Sequence, residues 1–87
     1  MIRYTVLWRR DVENELVTIW CDSTDRQGIA KASDRIDSEL KVDAHLKGTE
    51  FPDGLRVFVV APLVAYFRFD EADRKVFVEA IQVSDLN

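Results

Sequence analysis

The last third of the chain, residues 55–83, constrains the fold most, because it is typical of three successive β-strands. Its segments LRVFVVA, LVAYFRFD and KVFVEAIQV are separated by Pro62 and by the polar run at residues 70–73. Short runs rich in Val, Ile, Phe and Tyr between such breaks favour strands joined by tight turns. The sequence therefore predicts three consecutive strands at its C-terminal end.

One strand precedes this region at the N-terminal end of the chain. Residues 2–8 alternate, so that one face carries Ile2, Tyr4, Val6 and Trp8. A period of two is typical of a half-buried strand.

Two amphipathic helices are predicted between the first strand and the last three. The first, residues 11–21, has an apolar stripe of Val12, Leu16, Ile19 and Trp20. The second is expected to begin at a capping box formed by Thr24 and Gln27, and to end between His45 and Gly48. Its predicted buried face consists of Ile29, Ala32, Ile36 and Leu40.

The resulting order, β-α-α-β-β-β, predicts a single α+β domain over residues 1–87. We expect an antiparallel helical hairpin packed on a small, mainly antiparallel four-stranded sheet. The helical hairpin covers only one face of the sheet. The last three strands nevertheless carry apolar residues at the positions that point to either face. Two explanations stay open: the sheet curves tightly around its own helices, or a partner segment or a second copy covers the other face.

Charge and composition exclude several classes of protein. The net charge is −4, from 12 basic and 16 acidic residues spread evenly along the chain, which argues against a dedicated nucleic-acid binder but leaves room for a local basic cleft. The start lacks the pattern of an export signal, and no apolar run is long enough to span a membrane. A single cysteine, Cys21, cannot form an internal disulfide, so we expect a cytoplasmic protein.

Residues with obvious chemistry are few. There is one histidine, His45, and no metal, nucleophile or phosphate-loop motif, so the sequence predicts neither a metal nor a cofactor. We expect His45 to face solvent or the end of the second helix. The candidate catalytic residues are Arg56, Tyr66 and Arg68, provided that the hairpin register places them on one sheet surface. Two arginines and a tyrosine can bind and strain a phosphodiester; the alternative is that they form structural ion pairs with Glu79 and Asp70.

The chain resembles the RelE/ParE superfamily, the toxin halves of bacterial type II toxin–antitoxin pairs. The resemblance covers nearly the whole chain: the opening segment YTVLWRRDVENELVTIW, then Gly54 and Arg56 at the start of a strand, the Pro62-Leu63 hairpin and the final D-R-x-V-x-V strand. It implies binding of a cognate antitoxin, whose extended or helical segment lies along the helices and the sheet edge. It further implies growth inhibition, either by cleavage of messenger RNA on the ribosome or through gyrase.

The resemblance implies that two residues of this chain, Arg56 and Arg68, correspond to functional residues of the family's nucleases. The chain departs from those nucleases in two places. Val64 or a neighbour replaces an arginine of the central hairpin, and the tail from Gln82 to Asn87 has neither His nor Tyr. The alternative function is a non-catalytic binding module that has lost toxicity, or a homodimer formed through the apolar sheet face.

Overall fold

The computed structural model describes residues 1–84, and the last three residues of the tail lie outside this range. A strand and two helices come first: β1 (Thr5–Trp8), α1 (Arg10–Asp22) and α2 (Arg26–Leu40). A short 3-10 helix follows at Ala44–Leu46, and then four strands: β2 (Thr49–Glu50), β3 (Arg56–Val60), β4 (Leu63–Asp70) and β5 (Lys75–Val83). Both predicted helices and all four predicted strands are present, with β1 beginning three residues later than expected.

The strands form one mixed sheet in the order β1-β5-β4-β3-β2. The pairs β2–β3, β3–β4 and β4–β5 are antiparallel, whereas β1 runs parallel to β5. The α+β class is thus confirmed. The predicted number of four strands is corrected to five, because Thr49 and Glu50, which lie between the predicted elements, pair with Val57 and Arg56.

The ends of α2 differ from the prediction at both sides. Its N-cap is Asp25 rather than Thr24, and the Asp25 carboxylate accepts a hydrogen bond of 3.0 Å from the Gly28 amide. The helix ends at Leu40, where the next residues turn to meet the first strand: Asp43 takes a left-handed conformation, and its carboxylate accepts from the Ile2 amide at 2.7 Å. Tertiary contacts with the N-terminus therefore stop α2 before the predicted site at Gly48.

The core lies between the helical hairpin and one face of the sheet. Fully buried side chains include Ile36 and Leu40 of α2 with Phe67 of β4. The predicted buried face of α2 is confirmed in all four positions. The remaining core comes from the strands, from α1, from the residue before β1 and from the 3-10 helix: Tyr4, Val12, Ile19, Ala44, Val60, Leu63, Ala65, Val76, Val78 and Ile81.

A β-bulge explains why β5 is apolar at both alternating positions. Tyr66 pairs with Ala80, but Phe67 pairs with Val78, so Glu79 is an extra residue in β5. The extra residue shifts the inward positions from even numbers to odd numbers, and Val78 and Ile81 both reach the core. Part of the two-sided pattern thus belongs to one face.

Among residues 1–84, no helix is both long enough and apolar enough to cross a membrane.

Candidate functional site

Arg56, the first candidate catalytic residue, is a structural anchor at the start of β3. Its Nε donates to the Lys47 carbonyl at 2.8 Å and its Nη2 to the Gly48 carbonyl at 3.3 Å. Its side chain is 12% exposed, and Nη1 lies 3.8 Å from the Glu50 carboxylate. The guanidinium therefore holds the segment before β2 against β3, and its donors are directed at backbone carbonyls rather than at solvent.

Arg68 ties β4 to the turn at residues 52–54. Its Nη1 donates to the Asp53 carbonyl at 2.8 Å, and its Nη2 lies 3.4 Å from the Asp53 carboxylate. The Leu55 amide, and next the charge of Arg68, hold the pKa of Asp53 below its usual range. Gly54 completes this turn with a φ of 87°, a left-handed conformation that glycine adopts without steric cost.

Tyr66 lies two residues before Arg68 on β4 and faces the same side. Its hydroxyl donates to the Gln82 side chain at 3.2 Å. This side is opposite to that of Phe67, which is completely buried against the helices. Tyr66 and Arg68 therefore share the outer face of the sheet, the face away from α1 and α2.

The three candidate residues are not brought together, so the condition that the register places them on one sheet surface is not met. The two-residue turn Ala61-Pro62 sets the hairpin register, in which Arg56 is opposite Phe67. Because cross-strand partners point to the same side, Arg56 belongs to the helix-covered face and Tyr66 and Arg68 to the other. The partners predicted by the structural alternative are also corrected, since Glu79 binds Arg9 and Arg68 binds Asp53.

His45 lies in an aromatic cluster rather than facing solvent or the end of α2. Its Nδ1 is 3.1 Å from the Tyr4 hydroxyl, and its ring meets the ring of Phe69 edge-on at 6.5 Å. Burial is the main cause that raises the pKa of Tyr4. No group of three or more His, Cys, Asp and Glu side chains within residues 1–84 is arranged to hold a metal ion.

An apolar groove runs along the outer side of the helical hairpin, which we call the helix groove. It has a volume of about 200 Å³ and is lined by Leu16, Val17, Trp20, Ile29, Ala30 and Ser33. Val17 is 59% exposed and Trp20 is 40% exposed, although both are large and apolar. The Arg26 guanidinium lies 4.7 Å from the centre of the Trp20 ring, which is a cation–π contact at the surface. The sequence pattern places Trp20 in the apolar stripe of the first helix, and it therefore did not predict this exposed surface.

The outer face of the sheet is a second exposed apolar surface. Leu7 and Val59 are 40% and 48% exposed, and the strand register places both on the side of the sheet opposite to the buried Phe67. The same face also carries five partly buried side chains: Val57, Val64, Tyr66, Arg68 and Phe77. This arrangement favours the explanation that the sheet has one open face over the explanation that it wraps its own helices.

Comparison with known proteins identifies the fold. A chain of the toxin–antitoxin complex RelBE2 from Mycobacterium tuberculosis matches with a TM-score of 0.76 at 14% identity, over 94% of this chain and 99% of that chain. A chain of the chromosomal ParDE TA system from P. aeruginosa matches with a TM-score of 0.66 at 20% identity, over 95% and 98%. No family model and no curated protein matches the sequence. The predicted RelE/ParE-like fold is confirmed.

Proposed function

We propose that this chain is the toxin-like component of a type II toxin–antitoxin pair and that it binds a cognate antitoxin in the cytoplasm. The observation that carries the proposal is the match of almost the whole chain to chains of two toxin–antitoxin systems. The helix groove supplies a surface for the antitoxin. An amphipathic helix with small or apolar residues at positions i, i+3 and i+4 fits a groove of this shape between two helices.

We further propose that the chain inhibits growth by binding its target, gyrase or the ribosome, rather than by cutting RNA. Arg56 is engaged by two carbonyls, and it lies on the opposite side of the sheet from Tyr66 and Arg68. A phosphodiester held by Arg68 and Tyr66 would also have to displace Asp53 and Gln82 from them. Both guanidinium groups are thus held by acceptors of the chain itself, whereas the donors that stabilise a developing charge are preorganised toward the substrate.

The test of antitoxin binding uses the product of a short reading frame adjacent to the gene for this chain. Isothermal titration calorimetry compares the parent with Val17→Lys in the helix groove and with Val59→Lys on the outer sheet face. Both valines are about half exposed, so both variants are expected to fold. We expect Val17→Lys to weaken binding at least tenfold and Val59→Lys to leave it unchanged, because burying an unpaired charge costs more than the contact provides. Equal affinity of all three proteins would overturn the proposal.

The outer sheet face supports a second candidate function, a non-catalytic module that forms a homodimer. Its support is the pair of exposed side chains Leu7 and Val59 on the outer face of the sheet. Sedimentation equilibrium with the same two variants separates the candidates. A homodimer through the sheet face is expected to dissociate in Val59→Lys and to persist in Val17→Lys, whereas a monomeric parent would exclude it.

A further inference from the structure

Arg26 lies at one end of the helix groove. Its guanidinium carbon is 4.7 Å from the centre of the Trp20 ring, which lines the groove, and its Nη2 donates to the Cys21 carbonyl at 3.1 Å. Ala30, one helical turn further along α2, also lines the groove, so Arg26 projects from the same side of that helix. The side chain is exposed, and its charge therefore borders the groove directly.

This charge has no carboxylate partner. Arg26 takes part in none of the ion pairs formed within residues 1–84. The carboxylates nearest to it along the chain, Asp22 and Asp25, line a separate cavity together with Pro62 and Val83. A cation left without a partner beside an apolar groove favours a negative charge on the occupant.

The opposite end of the helix groove is acidic. Leu16 and Ser33, which line the helix groove there, also line an adjoining cavity with Glu13 and Asp34. Both carboxylates are exposed and form no ion pair in the described part of the chain. Along α1, Glu13 and Trp20 are separated by a rise of about 10 Å, or two helical turns. The groove thus has opposite charges at its two ends.

We propose that Arg26 determines which antitoxin helix the groove accepts, by pairing with an Asp or Glu in the last turn of that helix, and that this pair sets the direction of the helix. A helix has a partial negative charge at its C-terminus and a partial positive charge at its N-terminus. With its C-terminus at Arg26, the helix presents its N-terminus to Glu13 and Asp34, and both ends are attracted. The reverse direction brings like charges together at both ends.

This role of Arg26 rests on the proposed function, which places an antitoxin helix in the groove, and it adds the charge and the direction of that helix. A helix that covers the exposed indole of Trp20 also removes water from the guanidinium beside it. A desolvated cation without a partner is costly, so a helix with Lys or an apolar residue at this position is rejected.

The test uses two synthetic 14-residue helical peptides with Leu and Ala at positions i, i+3, i+4 and i+7 and a fluorescein at the N-terminus. They differ at one position in the last turn, which is Glu in one and Lys in the other. Fluorescence anisotropy is measured with the parent and with Arg26→Glu. Arg35→Glu is the matched control, since Arg35 is an exposed arginine of α2 that does not line the helix groove.

The quantity that decides is the ratio of the two peptide affinities, at about 0.15 M salt to screen the net charge of −4. We expect the parent to bind the Glu peptide about three- to tenfold more tightly than the Lys peptide. We expect Arg26→Glu to reverse this preference and Arg35→Glu to keep it within about twofold. The same preference in the parent and in Arg26→Glu, an equal change in both variants, or binding of neither peptide would overturn the role of Arg26.

A third peptide, with the Glu moved from the last turn to the first, tests the direction of the helix. We expect it to bind the parent more weakly than the first Glu peptide, and equal affinity would overturn the predicted direction. Val17→Lys separates this inference from the proposed function. Binding that is insensitive to Val17→Lys would place the peptides outside the helix groove and overturn both proposals, whereas loss of binding in Val17→Lys with an unchanged preference in Arg26→Glu would overturn only the role of Arg26.

Discussion

Replacing Arg56 distinguishes a structural arginine from a catalytic one, because the structural role predicts a large loss of stability. A hydrogen bond from a charged donor contributes about 1.5–3 kcal/mol. The bond to Lys47 has a good length of 2.8 Å, whereas the 3.3 Å bond to Gly48 and the 3.8 Å contact with the exposed Glu50 add little. We therefore expect Arg56→Ala to lower the free energy of unfolding by about 2–3 kcal/mol.

Urea unfolding followed by circular dichroism measures this loss. For a domain of this size a slope of about 1 kcal/mol per molar urea places the midpoint about 2–3 M lower. Arg56→Lys, which keeps the charge but not the fork of donors, is expected to lose an intermediate amount. Arg68→Ala is the matched control, and because its side chain is 43% exposed we expect a loss of about 1 kcal/mol or less.

The reasoning is refuted if Arg56→Ala unfolds within about 0.5 kcal/mol of the parent, the range of ordinary surface substitutions. That result would mean that the contacts with the Lys47 and Gly48 carbonyls contribute nothing, and the guanidinium would again be a candidate for catalysis.

Three further predictions concern the fold. Asp25→Ala is expected to cost about 1 kcal/mol in urea unfolding and Thr24→Ala almost nothing, because the cap bond comes from Asp25. Phe67→Ala is expected to cost about 3–5 kcal/mol in the same assay, since the ring is completely buried. The Ile2 amide lowers the pKa of Asp43 below 3.8, so its ionised form stabilises the fold above that pH. The stability advantage of the parent over Asp43→Asn, measured by urea unfolding, is therefore expected to disappear as pH falls through the lowered pKa; an advantage that persists in acid would contradict this.

The sequence predicted the elements well because their signals are local. The alternation at residues 2–8 and the stripe of Ile29, Ala32, Ile36 and Leu40 both match the structure. The parallel pairing of β1 with β5 and the early end of α2 depend on contacts between distant residues, such as the 2.7 Å bond from the Ile2 amide to Asp43. The order of apolar and polar residues along the chain does not indicate such contacts.

The candidate site was harder to predict because it depends on register. A strict alternation of inward and outward residues across residues 75–83 does not allow for the bulge at Glu79. It therefore assigns some inward apolar residues of β5 to the outer face of the sheet. The separation of Arg56 from Tyr66 was accessible in principle: a two-residue turn at Ala61-Pro62 already pairs Arg56 with Phe67. The bonds of Arg56 to the Lys47 and Gly48 carbonyls could not be predicted, because no sequence pattern near Arg56 indicates that this loop lies beside β3.

The most direct test of the central claim is growth and protein synthesis in a bacterial host after controlled induction of this chain alone, beside the variant Tyr66→Phe/Arg68→Ala. Both changes lie on the partly exposed outer face, and the anchoring Arg56 is left in place. We expect the parent to arrest growth without cleavage of messenger RNA and the variant to arrest it equally. Messenger RNA cleavage by the parent that the variant abolishes, or unhindered growth with the folded protein at high level, would contradict the account.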